Sequence, residues 1–142
     1  MKYEVIVSPG NEEKIIIYTK DKNPLVEKII SLIEEDTQHF VGFSSDKAVI
    51  LSPDEIECIT VINGRTTAIT QNGDFVLKER LYSLEECLKE DFLRINKSSL
   101  ANIKKIHSFS ASFGGALMIK FKCGFCDYVS RRQRKYVKEK LK

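Results

Sequence analysis

A chain of 142 residues with 42% hydrophobic and 30% charged side chains has enough apolar material to pack a core, and its length suits one domain with a small appendage. No apolar run approaches the roughly 20 residues that span a bilayer, and Met1 to Val7 lacks the long apolar region of a secretory signal, so the chain reads as cytoplasmic. The net charge of +3 conceals a division, with 10 Lys/Arg against 18 Asp/Glu up to Asp91 and 13 against 2 from Phe92 onward, which suits one part of the chain to a polyanion.

Tyr3 to Val7 and Lys14 to Thr19, separated by Ser8-Pro9-Gly10-Asn11, predict a β-hairpin. Asp21-Lys22-Asn23-Pro24 then supplies an N-cap and a proline at the first helical position, and Leu25, Val26, Ile29, Ile30 and Ile33 recur at helical spacing to about Glu35. Residues 1–45 are thus expected to form a small ββα unit, uncomfortable alone and suited to dimerisation or regulation. His39 to Phe43 and Ala48 to Leu51 read as short strands around Ser44-Ser45-Asp46-Lys47, with the domain boundary expected between them.

Ile56 to Ile62 and Thr66 to Thr70 flank Asn63-Gly64, the strongest short hairpin signal, with Arg65 and Thr66 at the tip. Asn72-Gly73 turns the chain toward Phe75-Val76-Leu77. A capping box at Ser83-Leu84-Glu85-Glu86 predicts a short helix ending by Glu90, with Leu84, Cys87 and Leu88 facing inward. Phe92 to Ile95 reads as a strand that stops at a protruding loop, Asn96-Lys97-Ser98. Ile103, Ile106 and Phe109 suggest a further strand, Phe113-Gly114-Gly115 a turn, and Leu117, Ile119 and Phe121 an alternating strand. Cys123-Gly124 leads into Phe125 to Val129, and Ser130, with Gln133 in capping-box position, opens a basic helix anchored by Tyr136, Val137 and Leu141. The expected fold class is mainly β (α+β), an antiparallel meander with short helices.

Nothing in the chain assembles a catalytic constellation. The pairs Glu12-Glu13, Glu34-Glu35 and Glu85-Glu86 fall on turns or helix faces, His39 and His107 lack an identifiable nucleophile, and no Gly-rich phosphate loop occurs. Cys123-Gly124-Phe125-Cys126 has metal or redox spacing, but Cys58, Cys87, His39 and His107 form no second close pair, so two turn-flanking reduced thiols are expected. The chain therefore reads as a binding protein rather than an enzyme, with no cofactor.

Phe92-x-Arg94-Ile95-x-Lys97-Ser98, then Asn102, an Ile-rich strand, and Val129-Ser130-Arg131-Arg132 together resemble the LytTR family of bacterial DNA-binding domains, over about residues 46–142. That resemblance implies a β-strand fold that reads the major groove of double-stranded DNA with loops instead of a recognition helix. It implies base contacts from Arg65 or Thr66 and from Arg132, and mostly phosphate contacts from Lys97, Ser98 and Arg131. Arg94, Asn96, Ser130 and Arg134 complete the expected surface, Arg94 doubling as a candidate structural arginine. The resemblance also implies two subunits on paired promoter direct repeats, hence a homodimer, and suggests a membrane-bound inhibitor as regulatory partner. The roughly 45 residues ahead of the matching part are too few for a receiver domain. A rival reading is a protein-interaction module whose basic C-terminal part binds an acidic partner or an anionic membrane. It calls for a helix with a wide apolar face, and the closing helix has few apolar residues and no Trp.

Overall fold

The computed structural model describes residues 2–10, 14–21, 23–36, 38–111 and 114–141. It forms two compact units, Met1–Thr37 and Gln38–Lys142. Asn11, Glu12, Glu13, Lys22 and Phe113, each part of an expected turn, acidic pair or helix start, lie outside the described residues.

In the first unit, α1 runs Pro24–Asp36. Asn23 Oδ1 accepts the Val26 N–H at 3.0 Å, and Pro24 fills the first helical position, so the start is capped as the sequence predicts. The expected hairpin is not formed: the described residues of Tyr3–Val7 and Lys14–Thr19 lie in no strand. Tyr3, Val5, Ile6, Val7, Ile15, Ile16 and Tyr18 are all at least 60% exposed. A two-stranded ribbon with no cover for its apolar face is marginal in water, so alternation alone does not fix a ladder.

The second unit opens with β1 (Phe40–Phe43) and β2 (Ala48–Leu51), paired from Phe40 opposite Leu51 to Phe43 opposite Ala48. The compact unit begins at Gln38, ahead of this hairpin, whereas the sequence suggests a boundary inside it. Cross-strand hydrogen bonding makes the hairpin one piece. Gly42 lets β1 lie close to its neighbours, because a Cβ there would fall 2.6 Å from Phe75 Cβ and 2.8 Å from Leu51 Cδ1.

β3 (Ile56–Ile62) and β4 (Arg65–Thr70) follow, joined at Asn63 and Gly64 with φ of 51° and 75°. Positive φ at both central positions is what a two-residue hairpin turn of the right twist requires. β5 (Gly73–Val76) precedes α2 (Leu81–Cys87), whose N-cap is Arg80, without a side-chain cap and three residues before the expected cap Ser83. Leu81, Leu84 and Leu88 face the core, and their burial sets where the helix starts; Cys87 is exposed, not inward as expected.

The stretch expected as a strand and loop is a complete hairpin, β6 (Phe92–Asn96) and β7 (Ser99–Asn102), turning at Lys97-Ser98. After a short 3-10 turn, β8 (Ile106–Ala111), β9 (Leu117–Phe121) and β10 (Cys126–Val129) lead into α3 (Arg131–Lys140). The first seven strands make one antiparallel sheet in the order β2-β1-β5-β4-β3-β7-β6, and the last three a second in the order β10-β9-β8.

Alternation along the large sheet sends successive side chains to two cores. Ile56, Ile59, Ala68, Phe75 and Leu100 pack with Leu81, Leu84 and Leu88 of α2. Cys58, Ile69, Leu93, Ile95 and Ala101 pack with Ile119, Phe121 and Val129 of the small sheet and with Val137 of α3. The large sheet is therefore covered by α2 on one face and by the small sheet and α3 on the other. Of the three expected anchors of α3, Val137 is fully buried and Leu141 packs at the margin, while Tyr136 is 47% exposed.

Candidate nucleic-acid interface

Three exposed corners lie at one end of the second unit, held there by hydrogen bonds between the strands that carry them. The first is the β3–β4 tip, where Arg65 is exposed and Thr66 half-buried. The second is the β6–β7 tip, with Lys97 exposed and Ser98 half-buried. Ser99 opposes Thr60 in the β3–β7 register, and Val61 N–H donates to Ser98 O at 3.0 Å, so the two tips point the same way.

The third corner is the junction of β10 with α3. Ser130 N–H donates to Ile95 O at 2.8 Å, fastening this junction to the end of β6. Ser130 Oγ accepts the Gln133 N–H at 3.3 Å, capping α3 as predicted, and Arg131 and Arg132 follow exposed in the first turn. The three corners together supply arginine, lysine and hydroxyl groups and a helix start, the kinds of donor that duplex DNA takes at phosphates and guanine edges.

Four of the expected site residues are placed in ways that refine their roles. Asn96, expected to present its amide outward, is only 2% exposed, with Nδ2 donating to Tyr128 O at 2.8 Å and Oδ1 accepting the Ser98 N–H at 2.8 Å. A buried amide must satisfy its polar atoms internally, so Asn96 shapes the turn instead of reading a base. Arg94 pairs through Nε with Glu85 Oε2 of α2 at 3.0 Å, the structural role open to it from the sequence. Arg134 donates through Nη2 to the Gly115 carbonyl, joining α3 to the β8–β9 turn. Ser130 serves its helix as a cap.

Buried polar groups within the sheets have bonding roles that the sequence reading does not assign. Asn102, 1% exposed, donates to Ile56 O at 2.8 Å and accepts Lys104 N–H at 3.1 Å, clamping β7 to the start of β3. Thr60, Ser99 and Asp127 join Asn96 in a side-chain network. Their one signal in the sequence is the density of Asn and Ser around Lys97, which suits a loop equally well.

Cys123 and Cys126 flank the β9–β10 turn as expected. Burial pushes the Cys58 thiol well up, helped by the charge of Asp127, and burial also raises Cys123. Such thiols hold their protons and are poor nucleophiles and ligands. Among the described residues no group of three or more His, Cys, Asp or Glu side chains could hold a metal ion, and no helix is long and apolar enough to cross a membrane.

The LytTr DNA-binding domain family model matches residues 46–142. The chain belongs to the LytTR family. Uncharacterized HTH-type transcriptional regulators from Staphylococcus aureus strains NCTC 8325 and MRSA252 are each 33% identical to it over 144 residues, covering 99% of this chain and 98% of theirs. A solved LytTr DNA-binding domain of a methyl-accepting/DNA response regulator from Bacillus cereus superposes with a TM-score of 0.68 at 16% identity, covering 74% of this chain and 97% of that one. This likeness establishes the LytTR fold, mostly antiparallel β with short helices. A helix-turn-helix pair is not how this LytTR unit is built, since α2 and α3 are separated by five strands.

Proposed function

We propose that this LytTR protein is a sequence-specific DNA-binding transcriptional regulator that reads the major groove with its interstrand loops. The observation that carries this reading is the fastening of three exposed polar and basic corners at one end of the β scaffold, through Val61 N–H to Ser98 O and Ser130 N–H to Ile95 O. The staphylococcal relatives, which match over 98% of their own length and carry the name of HTH-type transcriptional regulators, support it. Arg132 and the Arg65-Thr66 tip are assigned to bases, and Lys97, Ser98 and Arg131 to phosphates.

Selection of bound fragments from random duplex DNA, followed by fluorescence anisotropy over a salt series, tests the assignment. Lys97→Ala is expected to weaken all sequences alike and to lower the salt slope by about one unit, as loss of one phosphate contact does. An unchanged slope would remove Lys97 from the interface. The rival membrane reading is disfavoured by α3 itself, whose exposed residues are mainly Lys and Arg with Tyr136 the large apolar exception. Anionic vesicles in the same salt series serve as its control, and binding tighter to vesicles than to selected DNA would reinstate it.

The protein acts on this reading as two subunits on a repeated promoter site, joined through the first unit. Support comes from the exposed apolar side chains of that unit, among them Val5, Ile6, Ile15 and Ile16, with Leu25 and Leu32 on α1. Ile16→Glu in the full chain is expected to shift sedimentation from dimer to monomer while leaving the fold intact, because Ile16 is 60% exposed within a protomer. A variant that stayed dimeric would place the contact elsewhere.

A further inference from the structure

Asp127 is an acidic side chain built into an end of the molecule otherwise furnished for a polyanion. From Phe92 onward Asp127 and Glu139 are the two acids among 13 Lys/Arg. A carboxylate there repels phosphate, so its effect through space opposes DNA binding. Its hydrogen bonds point the other way. Asp127 Oδ2 lies 2.5 Å from Ser99 Oγ, and a carboxylate only accepts, so Ser99 donates. With its proton so committed, Ser99 accepts from Thr60 Oγ1 at 2.7 Å. Asp127 Oδ1 accepts from Asn96 Nδ2 at 3.2 Å and from the Tyr128 N–H at 2.8 Å.

The consequence is geometric. Thr60 stands on β3 just before the first tip, Asn96 and Ser99 bracket the second, and Asp127 stands on β10, the strand that leads into the third. Asn96 is held through Nδ2 to both Asp127 and Tyr128 O, and its Oδ1 fixes the Ser98 N–H. Thr60, Asn96 and Ser99 are all buried, where a broken member leaves unsatisfied groups and not merely a weaker contact.

We infer that Asp127 is a positioning residue of the DNA interface, whose carboxylate locks the Lys97–Ser98 turn and the Ser130–Arg132 junction into one register; this rests on the DNA-binding reading above. It touches no DNA and acts through Lys97 and Arg132. The charge and the geometry therefore make opposite forecasts for its neutral replacement. Asp127→Asn removes a repulsive charge but puts an amide NH2 where one carboxylate oxygen stood, so that one of Ser99 and Asn96, which both donate to it, meets a donor in place of an acceptor.

The test is anisotropy with the full chain on its selected DNA site, with stoichiometric titration giving the active fraction. Asp127→Asn is expected to weaken binding about tenfold or more, the loss of one well-placed contact, after correction for active protein. It should also lower the salt slope, and Lys97→Ala should cost less in the Asp127→Asn background than in the unmodified chain. Ser99→Ala, which keeps the charge and removes the donor, is expected to weaken binding in the same direction and decides the matter if Asp127→Asn folds poorly. Equal or tighter binding by both variants, or additive losses with Lys97→Ala, would overturn the inference while the unmodified chain still selects its site. Failure of the unmodified chain to select any duplex would instead overturn the DNA reading, and this inference with it.

Discussion

Replacing Arg132 with alanine is expected to abolish preference at one base position of the selected site, at a cost of about 1–3 kcal/mol, while affinity for unrelated duplex changes far less. The side chain is exposed in the first turn of α3, whose start is fixed by the Ser130 cap and by the Ser130 N–H to Ile95 O bond. Those two restraints aim a planar guanidinium that can engage guanine O6 and N7 together. A lysine at the same position keeps the charge but not the fork, so Arg132→Lys is expected to retain affinity and lose the preference. Competition anisotropy against single-base variants of the site measures this directly. If Arg132→Ala discriminated at every position as well as the unmodified protein, the third corner would not read sequence.

Phe121→Ala is expected to cost about 3–5 kcal/mol of folding stability, a large share of the roughly 5–15 kcal/mol that holds a domain together. Phe121 is fully buried at the end of β9, in the core that joins the small sheet to Cys58, Leu93, Ile95 and Ala101 of the large one. Its ring also lies 6.0 Å from that of Phe125 across the β9–β10 turn. Loss of the ring leaves a cavity where two sheets and α3 meet, so specific DNA binding should fall with the fold. Urea unfolding followed by circular dichroism is the measurement. A loss below about 1 kcal/mol would mean that the small sheet is not packed as described.

The parts of the fold legible in the sequence were those specified by local chemistry. Asn23-Pro24 marked the start of α1, Asn63-Gly64 the β3–β4 turn, and Ser130 the cap of α3, because caps and positive-φ turns are decided by the few residues that form them. β7 escaped because Ser99-Leu100-Ala101-Asn102 has little β-branched character. It is a strand because it lies between β3 and β6 with all four residues buried, a tertiary cause. α2 starts earlier than its capping box because the burial of Leu81 outweighs a cap. The expected hairpin of the first unit failed for the converse reason, as alternation forms a ladder only where something covers its apolar face.

The exposed site residues were visible as residue types at turns, and their grouping at one end was not. That grouping depends on which strands are neighbours, information carried by the β3–β7 pairing and the β6–β10 contact over separations of 39 residues for Thr60 with Ser99 and 31 for Asn96 with Asp127. Asn96 shows the limit most plainly. A polar residue in a turn invites a solvent-facing reading, and only its burial reveals that it faces inward.

Arg65 and Arg132, the arginines proposed to read bases, belong to neither apolar core. Substituting them leaves the packed interior untouched, so on that proposal a descendant of this chain can drift toward a different operator one residue at a time without passing through an unfolded ancestor.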